Sequence, residues 1–247
     1  MRSGNPALRA DTFLDTASGA LVDRGAGTMS LDGTVNRTAL LLVITFVTAM
    51  FTWSRVGAAP ALIGPYALVG VGGGFVVALA TIFRKQWAPL TAPLYAALEG
   101  LAIGAVSALM ELRYPGIVMQ AVGLTFGTLA ALLVAYRSGL VRATENFKLG
   151  VVAATGGVAL LYLADIVMGL FGHPVAFIHQ GGIAGIGFSA VVVVIAALNL
   201  VLDFDFIEEG VARGAPKHME WYAAFGLLVT LVWLYLEILR LLGKSRR

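Results

Sequence analysis

The sequence contains no cysteine and few charged residues. Without thiols, the chain can form neither a disulfide framework nor a thiolate metal site, and it has no cysteine nucleophile. Charged residues make up only 13% of the chain, whereas 59% of its 247 residues are hydrophobic. This balance excludes an ordinary soluble domain and a disordered chain. The small net charge of +3 gives no indication of nucleic-acid binding.

The beginning of the chain lacks the apolar stretch of a secretory signal peptide. It mixes arginine and aspartate with small residues, so we expect residues 1–34 to form a polar N-terminal tail. Residues 35–243 are expected to form a transmembrane domain, and residues 244–247 a short basic C-terminal tail.

Seven long apolar runs fill the predicted transmembrane domain. Most are near the length of about 20 residues that a helix needs to cross a bilayer. The runs do not alternate between apolar and polar residues, so helices are indicated rather than strands. The sequence therefore predicts an all-α membrane bundle of seven transmembrane helices. The predicted spans are 38–53, 61–83, 88–110, 117–136, 149–171, 182–202 and 221–242.

Small residues recur four positions apart on four of these runs. This spacing lets helix backbones approach closely in lipid, so we expect tight crossings on the second, third, fourth and sixth helices. The G-V-G-G-G stretch at 70–74 is not a nucleotide loop, because no strand precedes it and no Lys-Ser or Lys-Thr follows. The pairs are Gly70 with Gly74, Gly100 with Gly104, Gly123 with Gly127, and Gly181 with Gly185 and Ser189.

The basic residues between the runs predict a cytoplasmic N-terminus. With that orientation, eleven of the seventeen lysine and arginine residues lie on the cytoplasmic side and six on the other. The basic C-terminal residues are discordant. The seventh run either crosses the bilayer against this bias or dips in and returns.

Acidic residues mark three of the apolar runs. Glu99 lies midway along the third run, Asp165 lies deep in the fifth, and Asp203 lies where the sixth leaves the membrane core. A charge in the bilayer centre costs about 2.5–3.5 kcal/mol or more, so such a group faces the interior, is protonated or has a partner. Glu99 is either part of an ion or proton path or a protonated carboxyl group in a hydrogen bond between helices. Asp165 is expected to pair with a group inside the bundle. Asp203 is expected to be either a gating group or part of a solvated helix end.

The end of the sixth run carries further polar groups. Asn199 and Asp203 are four residues apart and share a helix face, whereas Asp205 joins Glu208 and Glu209 on another. The second group forms either a wetted acidic rim or a set of cation ligands. Its spacing differs from that of a dedicated calcium loop, and a rim that concentrates cations needs no ligand cage.

Other polar residues suggest simpler roles. Glu237 and Arg240 are three residues apart and predict a local ion pair. The histidines His173, His179 and His218 are expected in loops. Ser189 lacks both the Gly-x-Ser-x-Gly setting and the helix histidine that would activate a hydroxyl nucleophile.

Three segments of the chain together resemble one known family. The first is A-P-L-Y-A-A-L-E-G-L-A-I-G-A-V-S-A-L-M-E at 92–111, and the second is N-L-V-L-D-F-D-F-I-E-E-G at 199–210. The third is M-E-W-Y-A-A-F-G-L-L-V-T-L-V-W-L-Y-L-E-I-L-R-L-L at 219–242. They resemble the third, sixth and last helices of the Bax inhibitor-1-like membrane proteins. The run M-S-L-D-G-T-V-N-R-T before the first helix fits the bacterial branch.

The resemblance implies a seven-helix fold with the last helix at its centre and a pH-sensitive passive leak of Ca²⁺. Relatives carry a latch of two aspartates, one on helix six and one on helix seven. Asp203 matches the first, but alignment on the L-R-L-L ending places Thr230 at the second position. An arginine that contacts the latch in relatives corresponds to Arg84.

These observations favour a cation leak channel in a bacterial inner membrane rather than an enzyme. Its expected partners are then the lipid bilayer and the transported cation, which the resemblance implies is Ca²⁺, with no bound cofactor. Glu99, Asp165 and Asp203 are expected to line or gate the path. The alternative is a non-conducting membrane partner that modulates a membrane protease or another quality-control complex.

Overall fold

The computed structural model describes residues 27–173, 175, 178 and 182–246. In these ranges the chain forms seven long helices, each long and apolar enough to cross a membrane. The predicted all-α membrane bundle is therefore confirmed. Most of the predicted tail, together with His179, Gly181 and Arg247, lies outside the described residues. The helices are α1 (Leu31–Ala58), α2 (Ile63–Phe83), α3 (Ala88–Arg113), α4 (Ile117–Arg137), α5 (Glu145–Leu170), α6 (Ile183–Ala212) and α7 (Met219–Ser245).

Several helices extend past their predicted ends, and α1, α6 and α7 do so with polar residues that bear on the site. Helix α1 begins at Leu31, where the Ser30 hydroxyl caps it by accepting a hydrogen bond from the Gly33 amide at 3.1 Å. Helix α6 continues ten residues beyond its apolar run, so Asp203 lies inside the helix rather than at its end. Helix α7 includes Lys244, which the sequence places in a tail. These helices extend beyond their apolar runs because the polar side chains at their ends form hydrogen bonds or ion pairs with other helices.

Helix α7 is the centre of the bundle. It packs against α1, α3, α4 and α6, and its apolar span is the most buried of the seven. Leu228 and Leu234 of α7 are fully buried, in two neighbouring apolar clusters. On the outer surface large apolar side chains such as Leu68 and Leu163 stay exposed, as lipid contact requires. The expected central position of the last helix is confirmed.

The connections between successive helices lie alternately at the two ends of the bundle. We call the end that holds the start of α1 the N-terminal end, and the end that holds the end of α7 the C-terminal end. At the N-terminal end, the Met29 amide donates to the Ala215 carbonyl oxygen at 2.7 Å, so the start of α1 meets the α6–α7 connection. At the C-terminal end, the Arg246 guanidinium donates to the Pro115 carbonyl oxygen at 3.0 Å, between α3 and α4. Helix α7 therefore runs the whole length of the bundle without turning back.

Glycines permit close crossings between α1, α2 and α3. A side chain at Gly104 would collide with Ala49 and Thr52 of α1, and one at Gly70 would collide with Ala102 of α3. The prediction of tight crossings is confirmed for α2 and α3. It is wrong for α4, because the space beside Gly123 and Gly127 is open among the described residues. The four-residue spacing there faces away from the bundle.

A buried carboxylate ties α7 to the start of α1. The Glu220 side chain is fully buried, and its Oε1 accepts hydrogen bonds from the Ser30 amide at 3.0 Å and the Ser30 hydroxyl at 2.8 Å. The Lys217 ammonium lies 2.7 Å from the same oxygen. Gly33 lies directly against this carboxylate, where any larger residue would collide. Ser30 and Gly33 of the M-S-L-D-G-T run thus serve to seat Glu220.

Replacing the glycine at a tight crossing is expected to destabilise the bundle. Gly104→Leu should lower the unfolding temperature in detergent, because overpacking costs about 1–3 kcal/mol. Gly123→Leu is the matched control, and it should leave the temperature unchanged or raise it, since leucine favours a helix by nearly 1 kcal/mol over glycine. Circular dichroism during heating measures both. Equal losses in the two variants would contradict the assigned crossings.

Removing the Glu220 carboxylate should also weaken the fold. Glu220→Ala leaves the Ser30 amide and hydroxyl without their acceptor, which costs about 1–3 kcal/mol. The control is Glu209→Ala, which removes an exposed ion pair with Arg213 and should change stability by less than about 1 kcal/mol. Thermal unfolding in the same detergent compares them. A Glu220 variant as stable as the control would show that this contact contributes little.

Candidate functional site

Polar groups lie at intervals along the facing sides of α6 and α7, and α5 contributes two more. On α6, four-residue steps separate Gly185 from Ser189 and Asn199 from Asp203, with buried apolar residues between the two pairs. The polar residues of α7 face them along the antiparallel helix. We call this arrangement the polar seam. It consists of Gly185, Ser189, Asn199 and Asp203 of α6, Thr230, Glu237, Arg240 and Lys244 of α7, and Thr155 and Tyr162 of α5.

Asp203 faces Thr230 across the seam. The Thr230 side chain lies beside the Asp203 carboxylate, its hydroxyl donates to the Gly226 carbonyl oxygen at 3.3 Å, and Gly226 leaves open the space beside Asp203 Oδ1. The other oxygen, Oδ2, is buried and has no hydrogen-bond partner among the described residues. The resemblance placed Thr230 where relatives carry a second aspartate, and in the structure Thr230 lies beside Asp203. The site therefore holds one carboxylate and one hydroxyl.

Asn199 lies one helical turn from Asp203 on the same face of α6. Its side-chain amide donates to the Thr155 hydroxyl of α5 and to the Ile195 carbonyl oxygen, both at 2.8 Å. Asn199 therefore links α5 to α6 next to the Asp203 site.

The middle of the seam holds an ion pair between Glu237 and Arg240. Their side chains approach within 3.2 Å, and this confirms the predicted local pair. The structure adds Tyr162 of α5, whose hydroxyl lies 2.9 Å from Glu237 Oε1 and 2.5 Å from Arg240 Nη1. Glu237 is almost fully buried, whereas the Arg240 side chain is 42% exposed. This group joins α5 to α7, although the two helices are not neighbours in sequence.

Lys244 and Ser189 form the C-terminal part of the seam. The Lys244 ammonium donates to the Ser189 hydroxyl at 2.7 Å and to the Gly185 carbonyl oxygen at 3.0 Å. Both side chains are buried. These two bonds fix the end of α7 against the beginning of α6.

Glu99 lies apart from the seam. Its carboxylate lies beside the Tyr95 side chain, one turn earlier on α3, and approaches Gly74 of α2. The Tyr95 ring in turn packs edge-on against Phe225 of α7, with 4.9 Å between ring centroids. Glu99 is eleven residues from the start of α3 and Asp203 nine residues from the end of α6, so both lie about 14–17 Å from the N-terminal end along their helices.

Asp165 lies near the opposite end of the bundle. It is twenty residues into α5, about 30 Å along the helix, and its Oδ1 accepts a hydrogen bond from the Val175 amide at 2.8 Å. Asp165 therefore holds the connection after α5, and it does not meet Asp203. In the part of the chain that the structure describes, no three histidine, aspartate or glutamate side chains are grouped as metal ligands.

The acidic residues after Asp203 each meet a neighbour at the N-terminal end. Asp205 pairs with Lys148 at 2.6 Å, Glu208 accepts from the Tyr136 hydroxyl at 2.8 Å, and Glu209 pairs with Arg213. Asp205 and Glu208 line an open cleft of about 440 Å³ that the α4–α5 connection completes. These side chains form a wet rim with both signs of charge, because Arg137 and Arg142 line the same cleft.

Arg84 occupies a different place from the one that the resemblance implies. It is exposed in the α2–α3 connection, and its guanidinium lies over the Trp87 ring at 5.9 Å. No described contact joins it to Asp203. His173 is exposed and His218 half-buried, both outside the helices, as expected for loop histidines.

Sequence reasoning missed Lys244, Tyr162 and Glu220. A usable signal existed for Lys244, since it continues the three- and four-residue steps that run along α7 from Gly226. Ser189 repeats the same steps on α6. For Tyr162 no signal was available, because a tyrosine in an apolar run reads as packing.

Comparison with known proteins supports the assignment that the fold suggests. No curated protein and no solved structure matched the chain. A protein-family model described as Bax inhibitor 1 like matches residues 5–247, which is nearly the whole chain. Together with the seven apolar helices, this match shows that the chain is a membrane protein that belongs to the Bax inhibitor-1-like family.

Proposed function

We propose that this protein is a passive cation leak channel that carries Ca²⁺ along the polar seam. We further propose that it lies in a bacterial inner membrane with its N-terminus in the cytoplasm. The observation that carries the proposal is the Asp203 carboxylate, which lies within a membrane-length helix with one oxygen buried and without a hydrogen-bond partner among the described residues. Such a group is costly in lipid and fits a role in the passage of ions.

The surroundings of Asp203 suit a hard cation. Carboxylate, hydroxyl and amide oxygens are the ligands that Ca²⁺ prefers, and Asp203, Thr230 and Asn199 supply one of each close together. Only one of these three is charged, so binding is weak enough for an ion to leave again. The cleft lined by Asp205 and Glu208 gives cations an approach from the N-terminal end.

Acidification is expected to close this path. A carboxyl group away from water favours its neutral form, and the neutral form attracts a cation far less than the carboxylate does. Relatives use two aspartates for this switch. Here Thr230 cannot ionise, so we propose that one proton on Asp203 controls the path. Glu99 lies at a similar depth on α3. We propose that its charge acts independently of Asp203 and contributes to the electric field that attracts a cation.

The flux of Ca²⁺ tests the role of the carboxylates. Asp203→Asn should lower the initial rate of Ca²⁺ uptake into proteoliposomes by about tenfold or more, as expected when about 1.4 kcal/mol of attraction is lost. Glu99→Gln should lower it by a smaller factor. Asp32→Asn removes an exposed carboxylate at the start of α1 and is the matched control. Uptake that is unchanged in both test variants would remove this mechanism. Absence of any uptake, with a stable copurifying protein, would favour the non-conducting partner.

The steepness of the pH response tests the single-proton switch. In the native chain, uptake should rise from acidic to neutral pH in one step with the slope of a single proton. Thr230→Asp places a second carboxyl next to Asp203, so the two groups titrate together and uptake should change in two steps. Thr230→Asn, which has a similar size and no charge, is the control and should keep the single step. A native response that is already two-stepped would contradict the assignment to Asp203 alone.

A further inference from the structure

The open cleft at the N-terminal end of the bundle has two walls of different charge. Its volume is about 440 Å³, within the range of about 300–1,000 Å³ that small-molecule sites occupy. The end of α4 and its connection to α5 supply Arg137 and Arg142 to one wall. Helix α6 supplies Asp205 and Glu208 to the other. A compound that fills the cleft therefore meets guanidinium groups on one side and carboxylates on the other.

The two guanidinium groups of the cleft are not neutralised by the protein. Arg142 Nε donates to the Gly139 carbonyl oxygen at 3.3 Å, and this bond holds the arginine side chain beside the turn at Gly139. Among the described residues, no carboxylate pairs with Arg137 or Arg142. The planar donors of a guanidinium match the oxygen atoms of a phosphate group. This wall of the cleft therefore suits a phosphate.

The opposite wall keeps one carboxylate for a cation. Asp205 is neutralised by Lys148, whose ammonium lies 2.6 Å from its Oδ2. Glu208 has a different partner, because its Oε2 accepts a hydrogen bond from the Tyr136 hydroxyl at 2.8 Å. That bond fixes the carboxylate but leaves its negative charge in place, and no lysine or arginine pairs with Glu208 in the part of the chain that the structure describes. A ligand that suits both walls carries a phosphate and, next to it, a positive group.

The position of the cleft favours a lipid over a soluble compound. It lies where the apolar span of α4 ends, beside Tyr136, and where α5 begins at Glu145. Tyrosines at the ends of membrane spans lie at the level of the lipid headgroups. Leu140, in the connection that forms one wall, is 82% exposed, as expected for a side chain that enters the lipid interface. Helices α4 and α5 both pack against α6 rather than against each other, so acyl chains have access between them.

We propose that this cleft binds the headgroup of phosphatidylethanolamine. Arg137 and Arg142 hold its phosphate, and Glu208 accepts a hydrogen bond from its primary ammonium group. Phosphatidylcholine carries the same phosphate, but its ammonium has no N–H to donate, and phosphatidylglycerol has no positive group. This inference goes beyond the proposed leak function and does not depend on it, because the lipid binds whether or not ions pass. Where ions do pass, the headgroup ammonium competes with them for Glu208.

Native mass spectrometry of the full chain in detergent tests the site, with the three lipids added in turn with identical acyl chains. The native chain should bind phosphatidylethanolamine about tenfold more tightly than phosphatidylcholine, which corresponds to about 1.4 kcal/mol. Glu208→Gln should remove most of this preference, and Arg142→Gln should weaken the binding of both lipids. Glu209→Gln and Arg113→Gln are the matched controls, because both residues are exposed and neither lines the cleft. The controls should bind as the native chain does.

Three results would overturn the inference. If phosphatidylglycerol binds most tightly and Glu208→Gln does not change the order, the cleft is a site for anionic lipids. If the three lipids bind equally, or none binds, the cleft recognises no headgroup. Water-soluble glycerophosphoethanolamine has the same headgroup without acyl chains and should compete poorly with the lipid. Full competition at equal concentration would show that the ligand is a soluble phosphate ester.

The lipid measurement also separates this inference from the proposed function. Asp203→Asn should bind phosphatidylethanolamine as the native chain does, because Asp203 does not line the cleft. Selective lipid binding without Ca²⁺ uptake would therefore leave the lipid site standing and remove the leak. Ca²⁺ uptake that depends on Asp203, without selective lipid binding, would do the reverse.

Discussion

Lipid offers no hydrogen bonds, and this constraint explains most of the arrangement inside the bundle. Each polar side chain at membrane depth must find its partner on another helix, on its own backbone or in water. Helix α7 lies at the centre and supplies most of these partners. It meets α1 through Glu220, α3 through the bond between Tyr235 and Ser107 at 2.6 Å, and α6 through Thr230 and Lys244. The polar contacts therefore select the order of helices around α7, which apolar packing in lipid cannot do alone.

Two side chains of opposite charge lie at different heights along the polar seam. The Asp203 carboxylate lies toward the N-terminal end of the seam, and the Lys244 ammonium lies toward the C-terminal end. Between them, Glu237 and Arg240 largely neutralise each other. The seam thus places a carboxylate and an ammonium at different depths of the same bundle, each against α6 and α7.

The fold was largely predictable because apolar length is a local property. Each span was found, and errors fell at the ends, where the polar residues of α1, α6 and α7 continue as helix with partners elsewhere. Glycine spacing was a weaker guide: Gly100 and Gly104 face α1, whereas Gly123 and Gly127 face outward with the same spacing. Spacing defines a helix face, but it does not say which face meets a neighbour.

The site was less predictable because its contacts are distant in sequence. Asp203 and Thr230 lie side by side although 27 positions separate them, which no local pattern shows. Glu220 meets Ser30 across 190 positions, and Lys244 meets Ser189 across 55. Asp165 was grouped with Glu99 and Asp203 because all three are acids in apolar runs. Its helix carries it to the other end of the bundle, where it holds a connection instead.

Helix α5 is attached differently from the rest. Its apolar span is the least buried of the seven, and polar contacts join it at three heights: Lys148 with Asp205, Thr155 with Asn199, and Tyr162 with Glu237. A helix attached in this way can swing sideways into the bilayer while the core around α7 stays packed. Because the three attachments are electrostatic, the work of that lateral movement depends on how much water and how many lipid headgroups reach them. Displacing α5 sideways would therefore break these three contacts and leave the apolar packing around α7 intact.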